Sequence, residues 1–366
     1  MRLQLQPKPR GVALIIVMLT VFAMAVIVGA FLYAMKVEST AAYRTDADSE
    51  LQWVGRSGVE YGKWILALQK QVTGEEMYDG LNQFWAGGPG STNALSNPLE
   101  GVSMKDVPLG EGVFSIEIED MERYLNINKI VEGDRRLLDY VLTFCGASSG
   151  EAADIGAALK DWVDRDSFQT PGGAESTDYY MTLTPPYIAK DGPIDFLDEL
   201  LKVRGITPQL YWGPRAGGVA VRDRQMKLGM GSYSMSSLAG TVGLIDIVRS
   251  TSSGQLNINT APFPVLVAAF NGEEGLARNI VTQRAGPDGV DGTLDDSPAR
   301  GAGDMGRLMG GASPAGAGGP LAQFTTVSQY FEIRVEARLG QATRHYVAVV
   351  QRVNARDVRT LTFRSE

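Results

Sequence analysis

Residues 11–35 read GVALIIVMLTVFAMAVIVGAFLYAM, 25 positions without a charge. About 20 apolar residues in a helix cross the hydrocarbon core of a bilayer, and Val12 to Met35 supplies 24. Arg2, Lys8 and Arg10 precede the run, and Lys36, Glu38, Asp46, Asp48 and Glu50 follow it. The bias of basic residues toward the cytoplasmic side places the short N-terminus inside and the bulk of the chain outside. A cleaved secretory signal has a shorter apolar region, about 7–15 residues, and then a small-x-small site. Val28-Gly29-Ala30 is a poor version of that site. The stretch therefore reads as a retained single-pass anchor.

The helical pattern continues past the apolar run. Residues 36–72 contain no Pro, and Leu51, Val54, Gly58, Tyr61, Ile65, Leu68 and Val72 recur at spacings of three and four. That is one stripe on a helix. A continuous helix over Val12–Val72 would be about 90 Å long at 1.5 Å per residue. Residues 73–111 read as loop. In GVFSIEIED (112–120), Phe114, Ile116 and Ile118 alternate with Ser115, Glu117 and Glu119, the pattern of a half-buried strand. In FEIRVEARLGQATRHYVAVVQR the same alternation runs from Phe331 to Arg338, with a turn at Gly340, which predicts a hairpin. Between these strands lie short helical patterns: RLLDYVLTF, AADIGAALKDWV, FLDELLKV, APFPVLVAAF and GLARNIVTQR. A helical unit is thus inserted into a helix-plus-sheet unit. Residues 285–320 hold 11 Gly in 36 positions and read as a loop, and the tail beyond Val353 reads as mobile.

Composition narrows the chemistry. The chain has 366 residues, 44% hydrophobic, with a formal charge of −8. An acidic balance argues against a general nucleic-acid binder, because phosphate contacts need a basic surface. There is one cysteine, Cys145, and one histidine, His345. An internal disulfide and a Cys/His zinc site are excluded. A Ser–His–Asp triad would need His345, which sits in an alternating strand pattern.

Four motifs remain. YLNINK (124–129) and QLNINT (255–260) repeat one idea, an extended piece leading into a helix, and Thr260 could cap the second helix. The second continues as a helix-hairpin-helix-like module with hairpin Asn271-Gly272-Glu273-Glu274-Gly275, whose glutamates would repel phosphate. DWVDRDSFQTPGGAESTDYY (161–180) holds Asp161, Asp164, Asp166, Glu175 and Asp178. The Gly172-Gly173 turn could return Glu175 toward Asp164 and Asp166. Calcium takes six to eight hard oxygens. A carboxylate pair about 5–9 Å apart would instead suit glycoside hydrolysis, and plain capping with a solvated turn is a third reading. GPDGVDGTLDD (286–296) is a second acidic loop without the terminal Glu of an EF-hand.

Lys8-Pro9-Arg10-Gly11 followed at once by the apolar run resembles a type IV prepilin signal. The resemblance implies prepilin-peptidase cleavage between Gly11 and Val12, with methylation of the new N-terminus. Together with YLNINK, ALKDWVDRDS, GGAESTDYY, DGPIDFLDELLKVRGIT, LNINTAPFPVLVAAF and FTTVSQYFEIRVEA, it resembles the minor pseudopilin K family of type II secretion. The resemblance implies an α+β, pilin-like fold. A long N-terminal helix packs on a small antiparallel sheet, and a large all-helical insertion carries the helix-hairpin-helix-like module. The expected division is leader 1–11, membrane helix 12–35, pilin-like helix and first strand 36–123, insertion 124–320, closing strands 321–353 and tail 354–366. It implies no enzymatic activity. Expected partners are minor pseudopilins I, J and H, the prepilin peptidase and the inner membrane, with the bulk periplasmic and no nucleic acid bound. Calcium at Asp164, Asp166, Glu175 and Asp178 follows from the same resemblance. Most pseudopilins carry Glu at the fifth mature residue, whereas that position here is Ile16, which suits a single copy at the filament tip. The competing expectations are a membrane-anchored hydrolase using the 161–178 carboxylates and a competence-like DNA-binding pilin.

Overall fold

The computed structural model describes residues 12–90, 97–133, 135–213, 242–310 and 320–366. Gly11, the leader side of the expected cleavage bond, lies outside them. The first element, α1 (Val12–Gln69), is 58 residues long, about 87 Å at 1.5 Å per residue. Its first part, Val12–Ser39, is apolar and long enough to cross a membrane, and none of it is buried against the protein. Its last part is the opposite. Leu51, Val54, Val59, Ile65 and Leu66 are buried against a sheet.

That sheet has five antiparallel strands in the order β1 (Val107–Leu109), β2 (Gly112–Asp120), β7 (Tyr330–Leu339), β8 (Ala342–Asn354), β9 (Asp357–Ser365). β2 pairs with β7 in the register Phe114↔Ala337, Ile116↔Val335, Ile118↔Ile333. Each apolar residue therefore shares the helix-facing side with another, and the alternation seen in the sequence becomes one layer of the core. Glycine lets the helix come close. A Cβ at Gly58 would lie 2.5 Å from Val335 Cγ1, and one at Gly62 2.9 Å from Ile333 Cδ1. The long helix on an antiparallel sheet agrees with the expected mixed architecture.

Two sequence-based expectations need correction. The tail is not mobile, since β9 pairs with β8 from Tyr346↔Ser365 to Asn354↔Asp357. Phe363 stacks on Tyr346 at 5.5 Å, and Arg56 of α1 lies over the Phe363 ring. The reading failed because arginines suggest solvent, whereas here the backbone pairing and Phe363 hold the strand. The segment between β2 and β7 is also not purely helical. β3 (Leu125–Asn126) pairs in parallel with β4 (Val248–Arg249), and β5 (Leu256–Asn257) with β6 (Phe324–Thr325).

Around these short pairs lie α2 (Ile127–Gly133), α3 (Arg135–Phe144), α4 (Ser149–Val163) and helices at Phe263–Ala269, Glu274–Arg284 and Ala302–Leu308. FLDELLKV gives only a 3₁₀ turn, Leu197–Lys202. These elements enclose a second core built on Leu138, Val141, Leu142, Leu159, Trp162, Tyr180, Leu266 and Ile280. The Gly-rich stretch is built over 286–310. Asp295 accepts from the Asp288 amide (2.9 Å), Asp296 from Gly292 (2.8 Å), and Arg284 binds Asp291 at 2.8 Å. Residues 311–319 lie outside the described part.

Candidate metal centre and domain junction

Helix α4 starts with a capping box. Ser148 Oγ accepts from the Glu151 amide (3.4 Å), and Glu151 Oε2 accepts from the Ser148 amide (2.8 Å). The helix ends at Asp164, so its last turn and the following loop present acids together. Asp164, Asp166 and Glu175 each place a carboxylate oxygen within 4.8 Å of the others. Glu175 is 2% exposed, yet its Oε1 has no hydrogen-bond partner, and neither does Asp164 Oδ1.

Buried acceptors without donors are costly. Burial raises both pKa values. For Asp164, Asp166 and Asp161 add to the rise, and Lys160 offsets it only weakly. For Glu175, Asp161, Asp164 and Asp191 add to it. Hard oxygens that face one another without a proton donor are the donor set of a divalent cation such as calcium. The residues present fit that ion. When bound it would supply positive charge only, holding the loop to the end of α4.

Three of the four sequence candidates are therefore together. Asp178 is not in the group. The amides of Tyr179 and Tyr180 both return to the Glu175 carbonyl (3.0 and 3.2 Å), and the tight turn leaves Asp178 exposed. The group is also more compact than the ~5–9 Å separations that glycoside hydrolysis uses. In the hairpin, the amides of Asn271, Gly272, Glu273 and Glu274 all donate to backbone carbonyls. They are already used, and phosphate would have to displace those bonds. Thr260 does not cap its helix, whose N-cap is Pro262. Its hydroxyl donates instead to Asp120 Oδ2 at 2.5 Å. Ile16 is 55% exposed on the anchor helix, and Val12 opens that helix.

Thr260 leads to a cluster the sequence reading missed. Asp120 ends β2 on its inward-facing side, and Arg352 continues the inward series Tyr346, Ala348, Val350 of β8. Polar residues in a core register were the available signal. Asp120 Oδ2 accepts from Thr260, from Ser328 Oγ (2.6 Å) and from Asn257 Nδ2 (3.1 Å). Asp79 is fully buried, 2.5 Å from Arg352 and 3.1 Å from Lys70. Burial would raise the Asp79 carboxyl, but Arg352 and Lys70 hold it below the usual range. Burial pushes Asp120 up to about 6 and, with Asp120 beside it, Glu122 up to about 7. Glu122 accepts the amides of Ser253 (3.2 Å) and Gln329 (3.0 Å).

The two LNIN motifs flank this junction and do the same work. Asn128 exchanges two hydrogen bonds with Ile194, amide to Oδ1 at 2.8 Å and Nδ2 to carbonyl at 3.0 Å. Asn259 exchanges the same two with Ala299, at 2.8 and 2.9 Å. Each side chain mimics a strand partner for a distant backbone.

Residues 124–213 match the family model for type II secretion system (T2SS), protein K. Curated relatives described as type II secretion system protein K are 26% identical over 221 residues in Pectobacterium carotovorum and 23% identical over 216 in Aeromonas hydrophila. These alignments cover 57% and 55% of this chain, and it spans only 61% and 60% of those relatives. A chain of the crystal structure of the GspK-GspI-GspJ complex from the enterotoxigenic Escherichia coli Type 2 Secretion System superposes with a TM-score of 0.59. The match covers 89% of this chain and 99% of that one, at 18% identity, and shows the shared fold. The names are those of a secretion-apparatus component and not of an enzyme. The resemblance read from the sequence to protein K of type II secretion is thereby shown.

Proposed function

We propose that this chain, whose residues 124–213 carry the protein K domain of type II secretion, is a minor pseudopilin of that system. The observation that carries the reading is the single helix Val12–Gln69, which is unburied and apolar in its first half and sealed onto a sheet in its second. Such an element anchors a subunit in the inner membrane before assembly and joins it to neighbouring helices afterwards. The bulk then stands in the periplasm, with the N-terminus cytoplasmic.

Prepilin-peptidase cleavage between Gly11 and Val12, followed by methylation, would start the mature chain at the first residue of the helix. Ile16, the fifth residue from there, offers no acid to a neighbour's amine, and an unpaired charge in lipid is expensive. A subunit of this kind can be joined from one side only, and the insertion between β2 and β7 adds bulk that a repeating position would not hold. The chain is therefore read as a tip subunit, working with minor pseudopilins I and J, as in the named complex, and with H. Calcium at Asp164, Asp166 and Glu175 is part of the same reading.

Mass analysis of the membrane form should give an N-terminus at Val12, and a start at Met1 or after Ala30 would overturn the processing step. Co-purification should recover I, J and H in a one-to-one ratio with this chain. Crosslinks along the whole filament, or normal secretion after its deletion, would overturn the tip role.

A further inference from the structure

Asp161 lies on α4 one turn before Asp164 and is fully buried. A buried carboxylate is expensive unless something demands it. Both of its oxygens accept the Thr170 amide, at 3.1 and 3.2 Å. Its Oδ2 also lies 2.1 Å from where a Cβ on residue 173 would stand, so only glycine fits there. The Gly173 amide closes a turn onto the Thr170 carbonyl at 2.7 Å. The Gly173 carbonyl is fixed from the other side by Gln169 Nε2 (2.6 Å) and Arg204 Nη1 (2.8 Å). Glu175 follows two residues later, already at the Asp164–Asp166 group.

We infer that Asp161 is the positioning residue of the cation site: its carboxylate seats the Thr170 amide and Gly173, and so turns Glu175 back onto Asp164 and Asp166. This rests on the calcium reading above. The physical argument is one of opposing forces. Three carboxylates within 4.8 Å of one another repel and would open the loop. The hydrogen bonds to Asp161, together with the seat that only Gly173 fits, hold the loop closed without an ion. The site is then preformed, and the ion does not have to supply the cost of ordering nine loop residues, 165–173. A residue that orients ligands from behind changes affinity by about 10–100-fold when altered.

The test uses the full-length chain in detergent with terbium(III) as the probe, because Trp162 lies beside Asp161 and its excitation can sensitise the lanthanide. The titration and the luminescence lifetime in H₂O and D₂O report affinity and the number of bound waters. Wild type should bind terbium saturably, with calcium competing. Asp161→Asn and Gly173→Ala should each weaken binding by about tenfold or more and add bound water as Glu175 drops out, while Asp178→Asn changes neither reading. Circular dichroism of the variants at the titration temperature checks that they are folded. Two independent variants keep the test alive if one fails to fold. Wild-type affinity and wild-type hydration in both folded variants would overturn the role of Asp161 alone. Absence of binding in wild type would overturn the calcium reading and this inference together.

Discussion

Two groups of acids sit about the same inserted segment, each around a buried carboxylate, Asp79 and Glu175, and their surroundings differ. At the junction, Asp79 has Arg352 at 2.5 Å and Lys70 at 3.1 Å, and its carboxyl is held low. At the end of α4, Glu175 is as buried, but its carboxyl is pushed up, first by burial and then by other acids. The first group carries its counter-charge in the chain, and on the proposed calcium reading the second takes one from solution. The difference separates a structural tie from a candidate cation site, although both are simply acids in the sequence.

The largest expected effect breaks the first group. Arg352→Met leaves Lys70 alone to meet a fully buried Asp79, and removing one partner of a buried pair costs about 3–5 kcal/mol. Denaturant unfolding should show that loss, and a change under 1 kcal/mol would mean that Lys70 suffices. The next effect concerns the second group. Chelation should destabilise wild type by about 2.7 kcal/mol relative to calcium at a hundredfold excess over its Kd. Asp164→Ala should remove that response. A melting temperature blind to chelator would make the acidic group a solvated turn.

A smaller effect is one of sign. Asp120 and Glu122 have pKa values raised in the folded protein to about 6 and about 7. Raised acids bind protons more tightly when folded. Their contribution is full below the unfolded value and is lost as pH rises through the folded one. Stability should therefore decline between about pH 4 and 7, and Glu122→Gln should flatten the upper part of the decline. Glu119 behaves in reverse. Burial opposes it, but Arg123 and Arg334 hold it at about 2, so its contribution is full above its unfolded value and is lost as pH falls toward 2. A stability that climbs steadily from pH 4 to 7 would overturn the assignment at the junction. The smallest effect is at Asp357, which is half-buried and whose partner Arg359 is exposed. Asp357→Asn should leave the unfolding midpoint unchanged within error, because surface pairs contribute little.

Much of the fold was legible in the sequence because it rests on periodicity. The uncharged run 12–35 names an element, and the alternation in 112–120 and 331–338 names two more with their buried faces, while the three-four spacing read to Val72 overran the helix, which ends at Gln69. The candidate site was legible as a set of acids, with Gly172-Gly173 marking the return of the loop. Asp178 was expected with them but lies outside the group, because spacing along the chain does not say which way a turn throws a side chain. Asp161 was visible but had no role, since its partners are an amide nine residues on and the bare face of a glycine.

The sequence by itself determined the apolar run, the packing stripe and the strands β2, β7 and β8, because these depend on neighbours three or four positions away or on strict alternation. Tertiary structure decided the rest. Arg352 meets Asp79 across 273 residues, Ser328 meets Asp120 across 208, and Asn257 meets Asp120 across 137. No local pattern encodes such pairings. They exist because two cores meet at one seam, and the polar groups trapped there must find their partners inside the protein.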